Sequence, residues 1–319
     1  MHLVAISLII LISYFSFINS KNVSLEKITF TKEEIKELRE LSALDAVCGG
    51  AARIVGGTPA NITEAPYQVS IRRLRNPSTS VWRMSITCGG SLILPKVVLT
   101  ASHCFGTKFI PISAEKYAII LGNTFRVRRS PQAQLRMATR VAMHPEFQTV
   151  PLVQNDVAII IMNKAAIETD YVRIVPLAMG PIVEKTKCLI TGWGREYFPI
   201  ARKPPCLMKA TVPILNIDQC RNRSTISIGA GIICAGYFQG GIDACTGDSG
   251  GPLVCDGVQY GIVSYGKGCA EKDHPGLYTN VTEHYDWIRA EALIDSGNLK
   301  MLSVWFIPLV SLNFLISLM

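Results

Sequence analysis

The chain has 319 residues, a formal net charge of +8, 49% hydrophobic residues and 18% charged residues. This length can hold one large domain or two, and the low charged fraction excludes a disordered chain. The 25 glycines and 17 prolines exclude a collagen-like or low-complexity protein.

The N-terminal segment is predicted to direct export. Residues 3–19 are apolar and uncharged, and they end in small or polar residues near Ser20. This pattern is typical of a secretory signal peptide over residues 1–20, with a membrane-anchor helix as the alternative. We therefore expect the protein in the secretory pathway, extracellular or at the cell surface.

The next segment, residues 21–53, holds six basic and six acidic residues. Thr31 and Glu34 fit a capping box, and the leucine spacing that follows predicts a helix over residues 31–46. The segment ends in a basic residue, Arg53, followed by Ile54.

Residues 54–282 consist of short, apolar, β-branched runs separated by turn-forming residues, with strands predicted at 97–101, 117–121, 157–161 and 260–265. Residues 254–258 predict a hairpin with a type I′ turn. Because strands and helices do not alternate, the pattern disfavours a parallel α/β sheet and favours barrels or sandwiches. A helix is predicted over residues 283–294.

The chain ends in a second uncharged run, residues 301–319. A helix of that length would span about 29 Å, close to the core of a bilayer. Small residues at 295–298 precede the run, a pattern typical of a lipid-anchor (GPI) signal, although the polar spacer is short. We predict an anchor signal over residues 295–319; a transmembrane tail and a soluble form stay open.

The ten cysteines form an even set, which predicts five disulfides in an oxidising compartment. Neither a CxxC pair nor an HExxH motif occurs, so we predict no metal site and no cofactor. Four sequons predict glycosylation, at Asn22, Asn61, Asn222 and Asn280.

Three polar residues form a candidate catalytic set. Ser249 lies in a glycine-rich turn, and a serine hydroxyl needs a base to act as a nucleophile. His103 follows one apolar strand and Asp156 opens another, and a buried carboxylate requires a partner such as an imidazole. The turn also matches the G-x-S-x-G elbow of α/β-hydrolases, but that fold places its aspartate and histidine after the serine, in a strand–helix setting.

The sequence resembles the trypsin-like serine proteases of the chymotrypsin family over residues 54–294. The resemblance is carried by IVGG at 54–57, CGGS at 88–91, the His103 and Asp156 segments, GWG at 192–194, GDSGGP at 247–252 and SYG at 264–266. It implies an all-β protein of two antiparallel six-stranded β-barrels packed together, over about 54–172 and 173–282, with a C-terminal helix.

The resemblance also implies roles for individual residues. Ser249 would attack the scissile carbonyl, His103 would move the proton, and Asp156 would orient the imidazole. Backbone N–H groups of Gly247 and Ser249 would form the oxyanion hole. Substrate binding would involve Asp243, Ser264, Gly266 and Gly276, and the Asp243 carboxylate would select Arg or Lys before the cleaved bond.

Activation and disulfides follow from the same resemblance. Cleavage between Arg53 and Ile54 would free an ammonium group that inserts beside Asp248. Four disulfides are implied: Cys88–Cys104, Cys188–Cys255, Cys220–Cys234 and Cys245–Cys269. Cys48 and Cys206 have no familiar partner, and our hypothesis is that they pair and tether the pro-segment.

The positive charge suggests further partners. One arginine group comprises Arg72, Arg73, Arg75 and Arg83, and a second comprises Arg126, Arg128, Arg129, Arg136 and Arg140. By resemblance the two loops are neighbours, and they form either a solvated surface or an exosite for acidic proteins or glycans. The second loop lacks the carboxylates that bind calcium in relatives, so no calcium is predicted there.

Protein substrates and protease inhibitors complete the expected partners, and nucleic acid is not expected for an exported protein. A protease-like binding protein without catalysis is the alternative function. Such proteins usually lack a triad residue, whereas here all three are present.

Overall fold

The structure, a computed structural model, describes Cys48 and residues 55–75, 78–107, 110–111, 113–195 and 203–294. The predicted signal peptide, the helix over 31–46, the Asn22 sequon, Arg53, Ile54 and the predicted anchor signal lie outside these residues.

The described residues form fifteen strands and two α-helices. The strands are β1 (Thr58–Pro59), β2 (Gln68–Arg73), β3 (Ile86–Leu94), β4 (Val97–Thr100), β5 (Gly106–Thr107), β6 (Ile110–Pro111), β7 (Tyr117–Leu121), β8 (Gln134–Met143), β9 (Ala158–Met162), β10 (Lys187–Gly192), β11 (Met208–Pro213), β12 (Ile232–Ala235), β13 (Pro252–Cys255), β14 (Val258–Tyr265) and β15 (Gly276–Asn280). The helices are α1 (Ile217–Arg223) and α2 (Tyr285–Ile294). The predicted all-β class with a C-terminal helix is confirmed.

Residues 68–162 form a closed, antiparallel barrel. Its strand order is β2-β3-β4-β9-β8-β7. Strand β9 is buried along its whole length, because one face points into the barrel and α2 covers the other. Arg140 on β8 forms a salt bridge to Glu291 on α2, with 2.8 Å between Nη1 and Oε2, which connects the helix to this barrel.

The strands that follow in the chain, together with β1, form a seven-stranded sheet in the order β1-β11-β10-β13-β14-β15-β12. A bridge between Ile214, directly after β11, and Ala235, at the end of β12, joins β11 to the edge strand β12, where Leu215 N donates to Cys234 O at 2.9 Å. The six strands β10 to β15 therefore close into a second barrel through this single bridge, and β1 extends the sheet beside β11.

The hairpin between β13 and β14 has the predicted type I′ turn. Cys255 lies opposite Val258, and the two residues between them, Asp256 and Gly257, have φ angles of 50° and 79°. Both central residues of a type I′ turn require positive φ, which an Asp-Gly pair tolerates well. This prediction is confirmed.

Two buried hydrogen bonds between side chains connect the barrels. Ser91 on β3 donates to Gln259 on β14, and Thr191 on β10 donates to Gln68 on β2, each at 2.6 Å. An intramolecular hydrogen bond contributes about 1 kcal/mol net, but losing one partner of a buried pair costs about 1–3 kcal/mol. These pairs therefore fix how the two barrels meet.

All ten cysteines are paired, so none is free. The structure contains the four disulfides implied by the resemblance, namely Cys88–Cys104, Cys188–Cys255, Cys220–Cys234 and Cys245–Cys269. The fifth joins Cys48 to Cys206, with their Cα atoms 5.8 Å apart. Among the described residues, no helix is both long and apolar enough to cross a membrane.

Candidate active site

His103 is held at the end of a strand. It lies in a 3-10 helix, Ser102–Phe105, that directly follows β4. Its backbone N–H donates to Asp156 Oδ1 at 2.9 Å, and its Nδ1 lies 2.7 Å from Asp156 Oδ2. Two contacts from one carboxylate fix both the position and the orientation of the imidazole, leaving Nε2 for another partner.

The Asp156 carboxylate is almost completely buried, with 1% of the residue exposed. Burial alone would raise its pKa, but the charge of His103 and the hydrogen bonds from His103 and Ser264 together lower the pKa. Burial conversely lowers the pKa of His103, but the charge of Asp156 and its hydrogen bond raise the pKa by more, so the net pKa lies above the ordinary 6.5. The pair is therefore arranged to stabilise an imidazolium next to a charged carboxylate.

Three hydroxyl groups hold this pair in place. Ser264 Oγ donates to Asp156 Oδ2 at 2.5 Å, and Thr279 Oγ1 donates to Asp156 O at 3.0 Å. Ser102 Oγ donates to Val157 O at 2.7 Å, which ties the histidine segment to the aspartate segment. The roles of Ser102 and Thr279 were not predicted, because nothing local in the sequence indicates that their partners lie 55 or more residues away.

Ser249 lies at the seam between the barrels. Its carbonyl accepts a hydrogen bond from Gly89 N on β3 at 2.8 Å. A Cβ on the next residue, Gly250, would collide with Thr100 on β4, so a glycine lets this turn approach the histidine segment. In the described part of the chain, no hydrogen bond joins Ser249 Oγ to His103, a contact that often tightens only with substrate bound.

The backbone around Ser249 leaves two donors unused. Gly247 has a φ of 108°, which side chains rarely tolerate and which turns the chain sharply before Ser249. Among the described residues, the N–H groups of Gly247 and Ser249 have no acceptor. Unpaired N–H groups next to a serine are suited to receive a developing oxyanion.

A cavity of about 220 Å³ opens beside Ser249. Asp243 lies in it with 4% of its surface exposed. Its Oδ2 accepts from Ala270 N at 3.1 Å, but its Oδ1 is buried with no partner in the described residues. Burial raises the pKa of Asp243 to about 7, although backbone hydrogen bonds from Ala270 and Ala244 oppose the shift.

Two glycines keep this cavity open. A Cβ on Gly276 would lie 2.5 Å from Asp243 Oδ1, so any side chain there would cover the carboxylate. A Cβ on Gly266 would meet nothing within 4 Å and would project into open space. Ser264 also lines the cavity, but its hydroxyl is committed to Asp156.

Asp248 is a second buried carboxylate. It is 1% exposed and accepts hydrogen bonds from Gly194 N at 2.7 Å and Cys245 N at 3.0 Å. Burial raises its pKa to about 6, and Lys203 opposes this shift. Val55, the first described residue after the predicted cleavage site, pairs with Asp243 at 3.3 Å between Asp243 N and Val55 O.

The two arginine groups do lie next to each other, since Arg72 Nη2 donates to Arg126 O at 2.7 Å. However, Arg72 is completely buried, and its guanidinium also donates to three carbonyls of residues 81–84. Placing Arg72 on an exposed basic surface was therefore wrong. Arg136 is likewise bound to Ala165 O, and Arg140 to α2.

Other predicted sites are placed as follows. Asn222 is exposed on α1, and Asn61 is partly exposed. Asn280 is half-buried, and its amide donates to Glu283 at 3.1 Å.

Among the described residues, one cluster brings together three residues that can bind metals, namely Cys88, His103 and Cys104. Its two cysteines form a disulfide with each other and therefore cannot act as thiolate ligands.

Comparisons with known proteins agree with this geometry. The family model described as Trypsin matches residues 54–288. The chain is 36% identical to Trypsin I-P1 of Gallus gallus over 237 residues, covering 74% of this chain and 88% of that protein. It is 37% identical to Trypsin II-P29 of Gallus gallus over 254 residues (78% and 94%), and 33% identical to Serine protease 1 of Homo sapiens over 249 residues (78% and 93%).

Two closed barrels with a histidine–aspartate pair and a serine turn at their seam define a serine endopeptidase of the chymotrypsin type. The chain belongs to the trypsin family.

Proposed function

We propose that the protein is an exported serine endopeptidase that cleaves after Arg or Lys and is made as an inactive precursor. The unpartnered Oδ1 of Asp243, buried in the cavity beside Ser249, carries the specificity. A guanidinium or ammonium group would satisfy this oxygen, whereas an uncharged side chain would leave it buried and unpaired.

The geometry supports acyl transfer in two stages. Ser249 Oγ attacks the scissile carbonyl carbon while His103 Nε2 takes its proton, and Asp156 stabilises the imidazolium that forms. The carbonyl oxygen becomes an oxyanion bound by the N–H groups of Gly247 and Ser249. The carbon–nitrogen bond then breaks, the leaving amine takes the proton from His103, and water hydrolyses the acyl-serine by the same steps.

The proposal extends to activation. Asp248 is buried beside the oxyanion-hole glycine, and a buried carboxylate requires a compensating cation. Cleavage after Arg53 would create the α-ammonium of Ile54, one residue before the pairing of Val55 with Asp243.

Active-site titration of the cleaved protein tests the proposed function. A burst of one leaving group per molecule from an Arg ester is expected, and the absence of a burst would favour a protease-like binding protein.

The Cys48–Cys206 disulfide predicts a tethered product. Cys48 precedes the proposed cleavage site and Cys206 follows it, so the bond would connect the two chains after cleavage. On a gel, the cleaved protein should run as one species without reductant and release the pro-segment with reductant. The Cys206→Ser variant serves as control and should release the segment without reductant; release from the unchanged protein without reductant would contradict the tether.

We further propose a lipid anchor attached near residues 295–298, on the sequence pattern given above. Phosphatidylinositol-specific phospholipase C should then release the protease from the surface of expressing cells. A chain truncated after residue 294 would lack the anchor, so it should appear in the medium without phospholipase treatment. A surface form that resists the phospholipase would indicate a transmembrane tail instead.

The proposed partners are protein substrates, protease inhibitors, and anionic ligands at the basic surface. Because Arg72 is buried, it does not belong to the basic surface. The arginines of that surface include Arg73, Arg75 and Arg83. Arg128 and Arg129 lie on the neighbouring loop, where they stack over Phe125 and Trp82.

A further inference from the structure

We propose that a groove beside the candidate active site, lined by Arg73, Arg75 and Arg83, binds acidic side chains of the substrate on the C-terminal side of the cleaved bond. The groove has a volume of about 600 Å³. The inference rests on the proposed function and deepens it, because it names a substrate class: polypeptides with Asp or Glu shortly after the scissile bond.

The three arginines are available for a ligand. Arg75 and Arg83 are exposed and Arg73 is half-buried. Within the described part of the chain, their guanidinium groups make no hydrogen bond and no ion pair, in contrast to Arg72 and Arg136. A guanidinium presents paired N–H donors that match a carboxylate, so three of them around one groove favour an acidic ligand.

The position of the groove gives the direction of the bound chain. Its floor includes Ile86 and Thr87 at the start of β3. Two residues further along the same strand, Gly89 donates to Ser249 O. Cys88, between them, forms the disulfide to Cys104, the neighbour of His103. The groove therefore begins on the His103 side of Ser249.

The substrate residue before the cleaved bond would occupy the cavity with Asp243. His103 gives its proton to the leaving amine, so the chain after that bond departs past His103, toward β3 and the groove. The strand from Gly89 back to Ile86 covers about 10 Å, which corresponds to about three residues of extended chain. We therefore expect acidic residues at the second to fourth positions after the cleaved bond to reach the arginines.

The lining favours a polypeptide over a sulfated glycan. Between the arginines lie hydroxyl groups and apolar side chains, contributed by Thr79, Met84, Ser85, Ile86 and Thr87. An extended peptide offers backbone hydrogen-bond groups and apolar surface as well as charge. A glycan is recognised mainly by a continuous cationic track.

The test compares two peptides cleaved by the activated full-length enzyme. Both have Arg before the bond; one has Asp and Glu at the second to fourth positions after it, the other Asn and Gln. Because each exposed ion pair contributes little, we expect kcat/KM to be about tenfold higher for the acidic peptide, with the difference shrinking as salt is added.

A groove variant makes the test specific. Arg75→Gln/Arg83→Gln changes two exposed residues and should reduce the preference to about twofold or less. Its kcat/KM on a small Arg amide should not change, because that substrate ends at the cleaved bond, and unchanged benzamidine binding shows that the variant is folded. The control Arg128→Gln/Arg129→Gln, on the neighbouring loop, should keep the preference.

Equal rates on the two peptides, or a preference that survives in the groove variant, would overturn the inference. So would heparin binding that is lost in the groove variant while the peptides are cleaved equally, because that result assigns the groove to a glycan. Failure to cleave the small Arg amide would instead reject the proposed function, and the inference with it.

Discussion

Replacing Ser249 with alanine is expected to abolish nearly all peptide-bond cleavage by the activated enzyme. The variant lacks the hydroxyl proposed to form the acyl intermediate, and in another serine protease loss of the nucleophile lowers kcat by roughly 10⁶-fold. The measurement is kcat/KM on an Arg amide, together with the burst in an active-site titration, which should disappear. Benzamidine binding should persist, because the cavity with Asp243 is untouched.

Ser227 offers a matched control for this substitution. It is an exposed serine that follows α1, so Ser227→Ala should keep both the burst and the amide hydrolysis. If Ser249→Ala kept more than about a hundredth of the activity, the nucleophile would lie elsewhere, since loss of a triad residue costs several orders of magnitude.

The second large effect is expected at Asp243. Asp243→Asn keeps the shape of the side chain but removes the charge that would pair with a substrate guanidinium. A binding site that recognises its substrate through one buried polar contact loses several orders of magnitude in selectivity when that contact is removed. The kcat/KM for Arg substrates should therefore fall roughly 10³–10⁵-fold. Hydrolysis of a substrate with an uncharged residue before the bond should change much less. The exposed Asp170→Asn serves as control, and an intact Arg preference in Asp243→Asn would contradict the assignment.

The same residue predicts a pH dependence of ligand binding. Burial raises the pKa of Asp243 to about 7 in the free cavity, so its carboxyl is protonated and neutral below that pH. Benzamidine affinity should be constant above about pH 7 and weaken by about tenfold for each pH unit below it. The affinity should not depend on pH in this way in Asp243→Asn. Binding titrations rather than rates are the suitable measurement, because the raised pKa of His103 also affects turnover.

Local patterns in the sequence predicted four of the strands and the hairpin. The hairpin at Asp256-Gly257 was predictable because two residues determine its turn, and the apolar runs correspond to β4, β7, β9 and β14. The four disulfides implied by the resemblance and the approach of His103 to Asp156 agree with the family pattern. Cys48 and Cys206, which that pattern left without partners, pair with each other.

Features that depend on distant contacts were not predictable in the same way. Arg72 looked like a surface residue because its neighbours in sequence are basic. Its side chain instead satisfies backbone carbonyls from two loops, including Arg126, which lies 54 residues away. The groove is formed by residues from the end of β2 and the start of β3, which are not adjacent in sequence. A count of charges along the chain also does not show which arginines form hydrogen bonds within the described residues, as Arg72 and Arg136 do.

The seam between the barrels has a consequence for biosynthesis. His103 and Asp156 come from the first half of the chain, but the hydroxyls that hold Asp156 belong to Ser264 and Thr279, on the last two strands. A nascent chain emerging from its N-terminus therefore has no assembled site until nearly the whole domain has been made. A cell that produces this enzyme would be protected from it during translation by the order of the chain alone, before any pro-segment acts.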